Sequence, residues 1–253
     1  MDAPEVERAL SFGRGAASYD RVRPEYSSEA LDLVTARLGL APAAEVLDLG
    51  AGTGKLTRGL VERFARVTAV EPDASMRSVL EQVTDCYLVV EGTAEAIPLE
   101  DASVDAVFVG QAFHWFANDE AVREIARVLR PRGGLVLIWN AWWKTEPPIP
   151  EAASATMRRV LGPPSAPPKD LDREEWLDCF ASSAFEEVRR EDVAPRTLEL
   201  DADDLVSLYL STSLFGVLPP DRFAAVEAEL RRLITGRYRL PVETRLFWTR
   251  LAK

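Results

Sequence analysis

Three groups of residues in this sequence have the types and spacing to do chemistry. Asp48 leads into Gly50, Ala51, Gly52 and Gly54 within VLDLGAGTGKLT, residues 46 to 57. Glu71 closes the next apolar run and is followed by Pro72 and Asp73. His114, the only histidine of the chain, stands in the run Gln111-Ala112-Phe113-His114-Trp115-Phe116. Glycines at alternate positions let the main chain adopt left-handed angles and let a ligand approach the backbone closely. A carboxylate about 20 residues beyond such a turn, at the end of the following strand, can accept from two vicinal ribose hydroxyls. A histidine has a proton affinity suited to general-base work near neutral pH, although a lone histidine among aromatics also serves as a packed or backbone-bonded residue.

These residues need a strand, a tight turn and a helix start to hold them. Residues 46 to 57 supply that sequence of elements, and the helix start would direct free N–H groups and its positive dipole end toward a ligand. The dinucleotide fingerprint requires a glycine where Lys55 stands, and a P-loop requires Lys-Ser/Thr where Lys55-Leu56 stands. A pyrophosphate cradle is therefore disfavoured, and a dinucleotide-dependent reductase is the weaker alternative. The apolar run to Val70 predicts a second strand ending at Glu71, with Asp73 as the N-cap of a helix that brings Met76 toward the adenine edge of a nucleoside. A third strand is predicted over 87–91, ahead of Gly92-Thr93-Ala94-Glu95. A fourth, buried on both faces, is predicted over 104–110, with a fifth over 135–139. Ala121 to Leu129 reads as an amphipathic helix stopped by Arg130-Pro131-Arg132-Gly133-Gly134.

The flanks are different in character. Residues 5 to 40 read as helical with a bend at Arg23-Pro24, since the residue before a proline is driven out of helical geometry. Tyr19, Arg23 and Tyr26 around that bend could face a ligand or simply pack the first helix. Beyond Asn140, proline-rich stretches bracket a short helical piece, and a helix is predicted over 171–180. A strand is then predicted over 188–200, mostly helix over 203–236 and a final strand over 242–252. Trp142, Trp143, Tyr209, Thr212 and Phe215 could roof a pocket or fill ordinary core.

The chain has 253 residues and a net charge of −11, which argues against a nucleic-acid partner. Cys86 and Cys179, the only cysteines, suggest no disulfide and no metal site, and read as reduced core residues. No stretch reaches the roughly 18 apolar residues of a membrane span, and the N-terminus has no signal core. A cytoplasmic protein with no membrane association is expected, and nothing calls for an obligate protein partner.

The glycine turn, Glu71, the Ala94-Glu95 pair, the Ala-x-His-Trp-Phe segment and Tyr19-Asp20-x-x-Arg23-Pro24-x-Tyr26 together resemble class I S-adenosylmethionine (SAM) dependent methyltransferases. Within that class they resemble small-molecule enzymes of the trans-aconitate methyltransferase type. The resemblance implies an α/β fold: a doubly wound, mostly parallel, Rossmann-like seven-stranded sheet whose seventh strand enters antiparallel, with helical lid additions. It implies one domain over 1–253, with lid helices at 1–40, a SAM-binding core at 41–140 and acceptor-side helices and the last two strands at 141–253.

Its implied cofactor is SAM, released as S-adenosylhomocysteine (SAH), and its implied acceptor is a small molecule. Asp48, Gly50, Ala51, Gly52, Gly54, Glu71, Pro72, Met76, Ala94, Glu95, Gln111, Tyr19 and Arg23 would bind the cofactor. Tyr26, Trp115, Trp142, Trp143, Tyr209, Thr212 and Phe215 would surround the acceptor, and His114 would be catalytic. Aconitate itself would need cations, for which only Arg14, Arg21 and Arg23 offer themselves. A catalytically silent SAM-binding or scaffolding protein would keep the same cofactor residues.

Overall fold

The computed structural model describes residues 16–142, 149–161 and 174–252. The apolar runs become strands β1 (Glu45–Leu49), β2 (Arg66–Val70), β3 (Leu88–Val90), β4 (Val104–Gly110), β5 (Leu129–Ala141), β6 (Arg189–Asp201) and β7 (Arg237–Arg250). They form one sheet in the order β3-β2-β1-β4-β5-β7-β6. The first five strands are parallel, and β7 runs antiparallel to both β5 and β6. This is the doubly wound sheet expected from the sequence.

The helices in chain order are α1 (Ala16–Val22), α2 (Ser28–Leu38), α3 (Lys55–Val61), α4 (Ala74–Val83), α5 (Asp119–Val128), α6 (Glu151–Leu161), α7 (Ala202–Leu210), α8 (Ser213–Gly216) and α9 (Pro220–Leu233). Ser27, Asp73, Asn118 and Asp201 start four of them by accepting from free N–H groups of the first turn. Because β1, β4 and β5 are covered on both sides, alternate residues feed two cores. Leu47, Leu49, Val107, Val109 and Leu137 pack toward α5 and Trp176, whereas Val46, Ala106, Phe108, Val136 and Ile138 pack toward α2 and α3. A third core, around Leu205, Val226 and Leu230, lies within the helical layer of α6, α7 and α9.

Several boundaries differ from the sequence reading. β5 begins at Leu129 rather than Leu135, because Leu129 already pairs with Val104 before the register jumps to Ala106 opposite Gly134. Arg132 takes a left-handed φ of 64° inside that bulge. β7 begins at Arg237 rather than Val242. Pro241 lies where β7 has a strand on one side only, opposite Thr197 of β6, because β5 pairs only as far as Glu243. Pro195 similarly falls in the register shift of β6, the edge strand. The helix predicted over 171–180 is a 3-10 turn over Glu175–Phe180 within the described residues; its aromatics are held by Phe113 and Trp139. Cys86 and Cys179 are not in a disulfide, and both are half-buried rather than core residues. Among the described residues no helix is long and apolar enough to cross a membrane. Arg14 and Trp143, with the start of the first predicted helix, lie outside the described residues.

Candidate active site

Chain order reverses between β1 and β4, and a cavity of about 400 Å³ opens beyond the carboxyl ends of the strands there. Gly50 and Gly52 form one wall. The N–H groups of Gly50 and Ala51 both donate to Val70 O, at 2.8 and 3.1 Å, so the turn hangs on the end of β2. A Cβ at Gly50 would press to 3.0 Å from Ala112 Cβ, whereas one at Gly52, where φ is 57°, would project into open space. That open space over the backbone is what a ligand lying on the turn requires. Ala51 and Gly54 stand behind the wall. Ala51 is in the small core with Ala69 and Leu80, and Gly54 packs so closely on α4 that a Cβ would meet Thr84 Cγ2 at 3.0 Å.

Glu71 lines the cavity beside that wall. Its Oε2 accepts from Gly52 N–H and its Oε1 from Asp73 N–H, both at 2.9 Å. Burial pushes this carboxyl above its ordinary range, opposed by the two N–H bonds. Arg77 fixes the loop from below, donating from Nη1 to Glu71 O and Pro72 O at 2.7 Å. Pro72 and Met76 line the cavity as well, and Asp73 caps α4 by accepting from the N–H groups of Ser75 and Met76. Thr93, Ala94 and Glu95 continue the lining, and Glu95 Oε1 accepts from Asn118 Nδ2 at 3.1 Å. The far end carries Tyr19, Gly110, Gln111, Ala112, Trp115 and Phe116. Gln111 has a φ of 58°, rare for a residue with a side chain, and its Nε2 donates to Asn140 O at 3.1 Å.

Asp48 lies beneath the turn, fully buried, with Oδ2 accepting from Thr57 Oγ1 at 2.6 Å. Its Oδ1 has no partner among the described residues. Burial is the main cause that raises its carboxyl from the ordinary 3.8 to about 7, with the Glu71 charge adding and the Thr57 bond opposing. The folded state therefore holds this proton more firmly than the unfolded chain. Its contribution to stability is complete below the unfolded value and is lost as pH rises through about 7. Asp48→Asn keeps an acceptor for Thr57 without the charge. It should remove most of a decline of up to about 1.4 kcal/mol per pH unit, measured as urea-unfolding free energies between about pH 5 and about pH 7.5. A variant that declines as steeply as the wild type would exclude Asp48 as the source.

The remaining candidates divide between the cavity and other parts of the fold. Tyr19 and Trp115 line the cavity, but Arg23 does not: its guanidinium sits 5.0 Å from the Tyr19 ring centre and 5.5 Å from that of Trp142. Arg23 Nε donates to Ser211 Oγ at 2.8 Å and Nη2 to Ser211 O at 3.0 Å, and desolvation of the guanidinium lowers its pKa. Arg21 is paired with Asp204, so neither arginine is presented to a carboxylate in this cavity. Tyr26 backs onto Gly110, where a Cβ would come within 2.6 Å of its hydroxyl. Trp142 packs edge-on against Tyr209, Thr212 Oγ1 donates to Tyr209 O, and Phe215 belongs to the core of the helical layer. His114 is half-buried on the 3-10 turn after β4, with its ring 4.8 Å from that of Trp115, and it is not among the residues lining the cavity. Among the residues that sequence reasoning missed, Arg77 and Asn140 act through carbonyl oxygens, and one sequence carries no signal for such contacts. Among the described residues no cluster of His, Cys, Asp or Glu could hold a metal ion.

The cavity fits SAM: an open glycine backbone lies beside a buried carboxylate with acceptor capacity to spare, and the adjoining wall is apolar. Residues 47–137 match the family model for a methyltransferase domain. An uncharacterized methyltransferase of Mycobacterium tuberculosis is 51% identical over 140 residues, 55% of this chain and 56% of that protein, so the match spans about half of that relative's length. The YcgJ protein of Bacillus subtilis shares the fold, with a TM-score of 0.54 at 21% identity over 90% of this chain and 100% of that one. An uncharacterized methyltransferase-like protein of Schizosaccharomyces pombe is 35% identical over 224 residues, 87% of this chain and 84% of that protein. With likeness of that extent on this sheet and this glycine turn, the chain belongs to the class I SAM-dependent methyltransferases.

Proposed function

We propose that the protein transfers a methyl group from SAM to an oxygen, nitrogen or carbon nucleophile of a small molecule in the cytoplasm. The observation that carries this reading is the Glu71 carboxylate, buried beside the cavity and already bonded to the Gly52 N–H. When bound, SAM supplies a methyl group on a sulfonium that is activated for in-line displacement. The protein's task is then orientation, and well-oriented groups reach effective molarities of about 10⁵ to 10⁸ M. Gly50, Gly52 and Glu71 would hold the amino-acid and ribose parts, with Pro72 and Met76 against the nucleoside and Ala94 and Glu95 beside the base. Gln111, Tyr19 and Trp115 would surround the transferred methyl. The overall charge of −11 supports a small acceptor over a nucleic acid, and a chain with only two cysteines, not joined in a disulfide, suits a reducing compartment.

Equilibrium titration tests the cofactor class. SAH should bind at the cavity, whereas NADH should show no saturable binding, because Lys55 stands where the pyrophosphate turn needs a glycine. Binding of NADH in preference to SAH would overturn the proposal and favour a reductase.

A further inference from the structure

The segment Tyr19-Asp20-x-x-Arg23-Pro24-x-Tyr26 is not explained by cofactor contacts alone, since only Tyr19 of its residues lines the cavity. Its other members are fastened to four different parts of the protein. Arg23 is bonded to Ser211 at the end of α7, and Tyr26 abuts Gly110 at the end of β4. The carbonyls of Pro24 and Glu25 accept from Asn140 Nδ2 at 3.2 and 3.1 Å, and Thr244 Oγ1 donates to Asn140 Oδ1 at 3.0 Å. Asp20 reaches the glycine turn itself. Thr53 Oγ1 donates to Asp20 Oδ1 at 2.9 Å, and Arg58 Nη2 donates to the same oxygen at 3.0 Å.

Thr53 sits between Gly52 and Gly54 and is 1% exposed, so its hydroxyl cannot turn to water in place of Asp20. A buried hydroxyl with one good acceptor is a directional fastener, because leaving it unpaired costs more than the bond contributes. The carboxylate it meets is covalently next to Tyr19. The position of the tyrosine ring is thus referenced to the same turn that carries Gly50 and Gly52.

On the reading given under Proposed function, we infer that Asp20 and Thr53 are positioning residues for the cofactor. They lock α1 to the glycine turn and so hold Tyr19 at the methyl-transfer end of the cavity. The pair acts through Tyr19 and makes no contact with the reacting atoms. It gives Tyr19 a role that depends on Thr53, which distinguishes it from a residue that merely packs the first helix.

The test is a double-mutant cycle on SAH affinity, using the full chain and calorimetry. Thr53→Val, which keeps the shape and removes the hydroxyl, should weaken SAH binding about fivefold, as should Tyr19→Ala. The double variant should lose about fivefold rather than about 25-fold, because the two changes remove one shared effect. Thr53→Ser should behave as wild type. Thr53→Val combined with Glu95→Ala, a lining residue bonded to Asn118 rather than to α1, should show losses that multiply.

A second arm needs no ligand: amide hydrogen exchange across residues 16–22 should be at least about tenfold faster in Thr53→Val than in wild type or Thr53→Ser, with β1 and β4 unchanged. Independent losses in the Thr53–Tyr19 cycle, a Thr53→Ser variant as weak as Thr53→Val, or unchanged exchange in α1 would each overturn the inference. If wild type fails to bind SAH, the proposed function fails, while the exchange arm still decides whether Thr53 holds α1.

Discussion

Glu71→Ala is expected to weaken SAH binding about 10- to 150-fold, the equivalent of about 1.5 to 3 kcal/mol for a charge-assisted bond out of water. The magnitude follows from how the carboxylate is held. Each oxygen of Glu71 has two lone-pair directions, and the N–H groups of Gly52 and Asp73 take one on each oxygen. One direction per oxygen is left, which is the pattern two vicinal ribose hydroxyls require. The same bonds mean that alanine also frees the Gly52 and Asp73 N–H groups. Glu71→Gln should lose nearly as much, since its amide nitrogen would face a backbone donor. Calorimetry on variants with wild-type circular dichroism checks the point, and unchanged affinity would remove Glu71 from the site.

His114→Gln carries the second large effect. For a hydroxyl acceptor we propose His114 as the base, so the substitution should reduce turnover at saturating SAM at least about 100-fold, within the range of general-base assistance. The support is positional: His114 directly precedes Trp115, a wall residue, on the turn that follows β4. Glutamine keeps hydrogen bonding and removes basicity. The accompanying signature is an altered dependence of turnover on pH. A loss below tenfold with an unaltered profile would make His114 a packing residue and leave catalysis to orientation.

The parts of the site visible in the sequence are those where the backbone or a single ionised group sets a strict local demand. Gly50 and Gly52 had to be glycines for both conformation and access, and Glu71 fell at the end of the next strand because the parallel connection fixes that spacing. Asp73 could be recognised as a cap from its own neighbours. Other features depend on partners distant in the chain. Whether Leu129 enters the sheet is decided by Val104, and Pro241 lies in β7 at a point that β5 no longer reaches. The aromatic character of Trp142, Tyr209 and Phe215 was legible, but not which core each would join. The Asp20–Thr53 bond joins residues that sequence reading had placed in two separate motifs.

The most direct test of methyl transfer uses SAM labelled in its methyl group, incubated with the protein and a small-metabolite extract and followed by mass spectrometry. The expected result is label in a small molecule, formed one for one with SAH and lost in Glu71→Ala. Saturable SAH binding without transfer of label to any component of the extract would contradict the account and leave a SAM-binding protein with no transferase activity.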